Sequence, residues 1–236
     1  MNQTETTLDE LYPILKTSLE MISTNGYILT ADENLIVNDS GMDYSFPNEN
    51  YQNNYIIPYT QKYEQLKTVK KNATVYDLFT KKFQKPNNLD TLVYFMDPDI
   101  NKGSDVNKNA IKPVVLLAGS NPINIVLITK TKLNSSALSS EIKNLNYRHF
   151  LFSELMYNFT KHIFSPIYYI LTDQEKIDFL RINAIDNPEK IPKIKTDDIA
   201  CRYYNAKYGQ IFRITRETLY YESITSKSMS YRIVSD

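Results

Sequence analysis

The stretch from 191 to 216, IPKIKTDDIACRYYNAKYGQIFRITR, constrains the fold more than any other part of this chain. A short extended piece leads into one helical turn, and Tyr204 to Tyr208 form a tyrosine-rich cap on it. Gly209 stands where a helix must stop and turn into a strand, because a left-handed backbone costs glycine almost nothing. The residues after it read as a β-strand, and Ser230, Tyr231, Arg232, Ile233 and Val234 as a second one. Helical turn, glycine corner and strand pair in so short a space imply a small α/β unit.

The 236 residues suffice for one large domain or two modest ones, with apolar content enough for a core. Lys and Arg number 27 and so do Asp and Glu, giving a net charge of zero. Autonomous DNA binders draw most of their affinity from phosphate neutralisation. Any nucleic-acid contact is therefore expected to be local and subordinate to a partner. One cysteine excludes an internal disulfide and disfavours a zinc site, which suits a reducing compartment. No apolar run approaches the roughly 20 residues that span a bilayer, so no membrane partner is expected. The polar, acidic start MNQTETTLDEL lacks the features of a secretory signal. The Asn-x-Ser/Thr triplets at Asn38, Asn72, Asn134 and Asn158 then carry no meaning.

Apolar residues at 8, 11, 14 or 15, 18 or 19 and 22 predict an amphipathic helix over Leu8 to Ser23, with Thr7 as N-cap ahead of Glu10. Asn25 and Gly26 end it, and Tyr27 to Leu29 start a strand. Residues 31 to 60, rich in Asn, Asp and Pro, read as loop, and Tyr63 to Lys82 as mostly helix. Three β-like runs follow, Thr91 to Met96, Val114 to Leu117 and Ile123 to Thr129, with DPDINKGSDVNKN a polar loop and GSNP at 119 to 122 a hairpin-type turn. Leu133 to Leu145 reads as loop into helix, and Phe150 to Tyr157 as strand. From Thr160 the character changes. Asp173 to Ile182 is a charged helix with Thr172 as N-cap and Glu175 as its capping-box partner. A break near 158 to 160 therefore divides residues 1–158 from 159–236, in an α/β (α+β) chain of two domains.

Signals for chemistry are weak. Glycines at 26, 41, 103, 119 and 209 are too scattered for a phosphate-cradling loop. His149 and His162 lie far apart and suit packing or surface roles. Cys201, on an apolar helical stretch, reads as a structural thiol. Asp97, Asp99 and Asp105 lack the glycine and closing glutamate of a calcium loop. A DNA-cleaving metal site would need a Glu-x-Lys pair on a strand after another acid. Glu141, Ile142 and Lys143 supply the triplet and Asp90 or Asp97 the acid, but the serine-rich lead-in reads as loop or helix. No catalytic residue, metal site or cofactor is expected.

The C-terminal residues do carry a resemblance. His162 and Pro166, then Leu171, Thr172, Glu175 and Lys176, then Ile191, Pro192, Lys193 and Ile194 follow one another in order. Asp198, Arg202, Tyr203, Lys207, Gly209, Gln210, Ile214 and Arg216 come next without a gap, and Tyr231 and Arg232 close the series. This order resembles the C-terminal domain of the fifth subunit common to the three eukaryotic nuclear RNA polymerases and of its archaeal H-subunit relative. The chain departs from that pattern with Ile199 for a proline, Asn205 for a glycine, Tyr208 for a basic residue, and about four extra residues between Arg216 and Tyr231. Asparagine tolerates a left-handed backbone nearly as well as glycine, so the fold survives the second change. More weakly, Asn25, Gly26 and Tyr27 resemble the family's turn after its first helix, and Asn134 to Leu138 falls where the family has Thr-Pro-Ser-Ala.

The resemblance implies a non-catalytic subunit of a multisubunit DNA-directed RNA polymerase. It implies an N-terminal restriction-endonuclease-like jaw domain without cleavage residues and a small C-terminal assembly domain. The partners it implies are the largest subunit, an omega-like small subunit and, within the complex, downstream duplex DNA. It sets Asn134, Ser135 and Ser136 nearest to DNA, where amide and hydroxyl groups donate to phosphates without reading bases. It gives His162, Pro166, Arg202, Tyr203, Lys207, Tyr231 and Arg232 to the subunit interface. The nucleus is the implied location, with a viral factory or virion as the alternative, favoured by a chain rich in Asn, Lys, Ile and Tyr, as AT-rich genomes encode. A free-standing adaptor of the same fold and a metal-dependent nuclease are the competing readings.

Overall fold

The computed structural model describes residues 3–38, 52–86, 88–101, 105–119, 122–134, 145–220 and 223–236. It divides into two compact units, Met1–Tyr157 and Asn158–Asp236.

The first unit opens with α1 (Gln3–Thr24). The helix starts earlier than its expected cap, so Thr7 lies inside it. Leu8, Leu11, Leu15, Leu19 and Ile22 are buried, as their spacing near 3.6 demands. At its end the amide of Tyr27 returns to the Ile22 carbonyl and that of Asn25 to Met21, while Gly26 takes φ 80°. No strand forms at Tyr27 to Leu29; the segment is irregular, with the Ile28 amide donating to the Gln84 carbonyl. The expected loop over 31 to 60 instead holds α2 (Ala31–Asn38) and a π-helical turn (Gln52–Ile56) that runs into α3 (Ile57–Val69). Tyrosines explain the second piece. Tyr55, Tyr59 and Tyr63 recur every four residues and are buried. The Tyr55 hydroxyl donates to the Leu8 carbonyl at 2.9 Å, and its ring meets Tyr12 edge-on at 4.5 Å. The helix expected to reach Lys82 stops at Val69. A 3-10 turn (Val75–Leu78) and β1 (Lys81–Phe83) follow it.

With β2 (Thr91–Phe95), β3 (Asn124–Thr129) and β4 (Asn146–Leu151), β1 forms a sheet in chain order, β1-β2-β3-β4. The β1–β2 pair is antiparallel; β2, β3 and β4 run parallel. Parallel neighbours need a crossover, and α4 (Lys108–Ala118) supplies it between β2 and β3. The apolar run Val114 to Leu117 is therefore helix, not strand, and Gly119 at φ 73° ends that helix rather than turning a hairpin. Every residue of β3 is buried, as befits a central parallel strand covered on both faces. Ala110, Ile111 and Val114 of α4 pack against Leu92, Tyr94, Ile125 and Leu127. On the other face, Leu15, Leu19 and Ile22 of α1 line a small cavity with Val93 and Phe95. The last strand begins four residues earlier than expected and stops at Leu151. There the Leu151 amide donates to the Glu154 carboxylate at 2.8 Å and α5 (Phe152–Leu155) begins.

The second unit holds β5 (Ile167–Ile170), α6 (Asp173–Ile182), β6 (Lys193–Lys195), α7 (Ile199–Tyr203), β7 (Ile211–Tyr220) and β8 (Ser223–Ser235). Its sheet runs β5-β7-β8-β6, antiparallel except for the β6–β8 pair. The capping box forms as read: the Glu175 amide donates to Thr172 Oγ1, and the Thr172 amide to Glu175 Oε2. That bond, first among its causes, holds the Glu175 carboxyl below the ordinary range. Alternation assigns the two sheet faces. Phe212, Ile214, Val234 and Ile194 pack with Ala200 and Cys201 of α7. Ile211 and Ile233 face the other way, against Leu171, Ile191 and the partly buried Phe179 and Leu180 of α6. The corner after α7 uses two left-handed residues, Asn205 at φ 53° and Gly209 at φ 79°. The Gly209 amide then donates to the Val234 carbonyl at 2.9 Å, which ties the corner to β8.

Candidate subunit interface

The seven proposed interface residues all lie in the second unit, but they divide by what they touch. His162 is exposed before β5, and its Nδ1 accepts from the Phe164 amide at 3.2 Å. Pro166 is half-buried beside it. Arg202, half-buried on α7, donates through Nε to the Asp197 carbonyl at 2.8 Å. Lys207 is exposed, with Nζ donating to Asn205 Oδ1 at 3.0 Å. Tyr231 stacks on Phe179 at 4.2 Å, and Arg232, exposed on β8, donates to the Lys193 carbonyl at 3.1 Å. Tyr203 differs from the rest. It is 1% exposed, its hydroxyl accepts from Asn158 Nδ2 at 3.1 Å, and Phe159 meets its ring edge-on at 5.3 Å. Its side chain closes the core of the unit and presents no surface to a partner.

A groove of about 330 Å³ crosses the α7 face of this sheet. Tyr168, Ile194 and Ile214 contribute its apolar lining, and Lys193, Lys195, Arg216 and Arg232 its cations. Strand parity is the sequence signal that assembles it: 212, 214 and 216 on β7 share a face with 230, 232 and 234 on β8. Asp197 and Asp198 border the groove. The Asp198 carboxylate accepts from the Ala200 amide at 2.8 Å and so caps α7.

In the first unit Asn134 is half-buried, and its amide donates to the Val106 carbonyl at 3.1 Å. Ser135 and Ser136 lie outside the described residues, as do Glu141, Ile142 and Lys143 of the cleavage-type triplet. The four strands of this sheet read KKF, TLVYF, NIVLIT and NYRHFL, with no carboxylate among them. Asp97 accepts from the Asp99 amide at 2.8 Å, which makes a turn; burial chiefly raises its carboxyl pKa. His149 Nε2 lies 2.7 Å from Thr129 Oγ1. Among the described residues no group of three or more His, Cys, Asp or Glu is placed to hold a metal.

Cys201 is buried, and desolvation, followed by the nearby charges of Asp198 and Asp197, pushes its thiol up to about 12. At pH 8 almost none of it is thiolate. Iodoacetamide is therefore expected to label Cys201 in the native chain at least about 100-fold more slowly than in the unfolded chain. Time-resolved intact-mass measurement checks this, and equal rates would put the thiol at the surface.

Among the described residues no helix is long and apolar enough to cross a membrane. The second unit is a two-faced α/β module that carries a groove lined by arginines on one face. Comparison with known proteins identifies it. The family described as RNA polymerase Rpb5, C-terminal domain, matches residues 157–234. The DNA-directed RNA polymerase subunit Rpo5 of Archaeoglobus fulgidus is 36% identical over 73 residues, which are 31% of this chain and 90% of that protein. The subunit rpabc1 of DNA-directed RNA polymerases I, II and III of Dictyostelium discoideum is 26% identical over 215 residues, covering 89% of this chain and 91% of the relative. Subunit 5B of DNA-directed RNA polymerases IV and V of Arabidopsis thaliana is 26% identical over 133 residues, 55% of this chain. The match spans 59% of that plant relative's length. The chain belongs to the RNA polymerase subunit 5 family, whose members include Rpb5 and archaeal Rpo5.

Proposed function

We propose that this chain is a non-catalytic subunit of a multisubunit DNA-directed RNA polymerase. The carrying observation is that the family match, residues 157–234, falls on a unit with its own two-faced core. In this reading residues 159–236 act as the assembly domain, docked on the largest subunit near the omega-like small subunit. Exposed His162, Lys207 and Arg232, with Arg202, supply polar contacts there, while Tyr203 keeps the module folded. Residues 1–158 form part of the lower jaw near downstream duplex DNA, with the segment at Asn134, Ser135 and Ser136 closest to it. The nucleotide chemistry and its metal belong to the large subunits, and the chain's zero net charge agrees with a subordinate DNA contact. In this reading the chain works in the nucleus or, for a viral enzyme, in a cytoplasmic factory or virion.

Purification of the tagged chain from its native source, with identification of what co-migrates, tests this role. A large polymerase is expected. An unrelated partner would support the free-standing adaptor, and a monomer with metal-dependent cleavage the nuclease. Within the assembly, alanine at Asn134, Ser135 and Ser136 is expected to shorten open-complex lifetime in high salt while leaving subunit recovery intact. An unchanged lifetime would remove that segment from the DNA path.

A further inference from the structure

The groove across the second sheet has a chemistry that the docking role does not by itself specify. Resting on the reading that this unit seats the chain on another polymerase subunit, we infer that the groove takes an acidic, extended polypeptide segment of that subunit. Arg216 and Arg232 line it on the α7 face and Lys193 and Lys195 of the edge strand β6 border it, against two carboxylates, Asp197 and Asp198. One of those carboxylates is already engaged in capping α7. The excess of positive charge is local, since the chain as a whole carries none.

Arg232 is braced against the edge strand. Arg232 donates to the Lys193 carbonyl at 3.1 Å, and Arg216 Nη1 lies 3.5 Å from Ser230 Oγ. A guanidinium so held keeps free donors in a fixed fork, which suits a carboxylate. Between the charges lie Tyr168, Ile194 and Ile214. Such a surface asks for an aliphatic side chain flanked by acidic ones. A phosphate backbone would leave the apolar part unused, so a polypeptide fits better than nucleic acid. Its lining residues come from all four strands of the sheet, a breadth that admits an extended chain.

The test uses the full chain in the assembled polymerase, with a photo-crosslinking residue, p-benzoylphenylalanine, in place of Lys195. The expected product is a crosslink to a polymerase-subunit segment rich in Asp and Glu. Alongside it, Arg216→Glu with Arg232→Glu is expected to lower recovery of polymerase at least about tenfold, and Arg216→Gln with Arg232→Gln by less. A crosslink to nucleic acid, or to a segment without acidic residues, overturns the inference. So does recovery of the doubly reversed variant within about twofold of the unaltered chain. If circular dichroism shows the reversed variant unfolded, the crosslink at 195 decides alone. An unaltered chain that recovers no polymerase overturns the docking role beneath the inference, whereas normal recovery with insensitive variants overturns the groove only.

Discussion

Phe212→Ala is expected to destabilise the second unit by about 3–5 kcal/mol. Phe212 is fully buried near the start of β7, with Tyr168 edge-on at 5.9 Å and Tyr204 at 6.1 Å. Removing the ring deletes the largest apolar group of a cluster that also holds Ile194, Cys201, Ile214 and Val234. Strands β5 and β7 pair through this residue, opposite Ile170, so little backbone freedom exists to collapse the cavity. Native-state hydrogen exchange reads the loss directly. Amides of Ile211 to Ile214 are expected to exchange about 100- to 5,000-fold faster than in the unaltered chain. A change below about tenfold would mean that the aromatic cluster is not what holds this unit together.

Phe150→Ala is expected to have a comparable effect, again about 3–5 kcal/mol, on the first unit. Phe150 lies on β4 opposite Ile128, and both side chains are fully buried. Strand β4 is the edge of its sheet, held on one side by β3 alone. It lacks a second strand to compensate for a lost side chain. Exchange of the amides of Ile125 to Ile128 should rise by a similar factor. Protection that stays within about tenfold would show that β4 contributes little to this core.

The chain's legibility differed by segment for physical reasons. In the second unit each local signal agreed with the tertiary environment: Thr172 and Glu175 close a capping box, and Gly209 takes the left-handed corner. Asn205 adopts the same region at φ 53°, as asparagine does more readily than other side-chain-bearing residues. In the first unit, tertiary context overrode local propensity. Val114 to Leu117 reads as a strand by composition. The stripe Ala110, Ile111, Val114 and Ala118, buried on one helical face, decides otherwise. Leu116 at 81% exposure is incompatible with a central strand. Asn107 carries the overlooked start signal, its side chain accepting from the amides of Asn109 and Ala110. Likewise the tyrosines at 55, 59 and 63 mark a helix whose four-residue period was masked by flanking Asn and Pro. Glu154, bonded to the Leu151 amide, marks the end of β4.

The candidate interface was legible as residue types but not as geometry. Tyr203 reads as a surface tyrosine beside Arg202, yet a one-residue step round a helix turns it into the core. The cations of the groove come from three separate strands, β6 with Lys193 and Lys195, β7 with Arg216 and β8 with Arg232. Pairing of β7 with β8 sets Arg216 and Arg232 on one face, and pairing of β6 with β8 brings Lys193 and Lys195 to its border.

Stoichiometry in the active enzyme tests the central claim most directly. Transcriptionally active polymerase from the native source, washed in high salt, is quantified by mass spectrometry for this chain and for the largest subunit. The account predicts one copy of this chain per largest subunit, retained through the wash. An active enzyme that lacks the chain, or that sheds it in the wash, would contradict it.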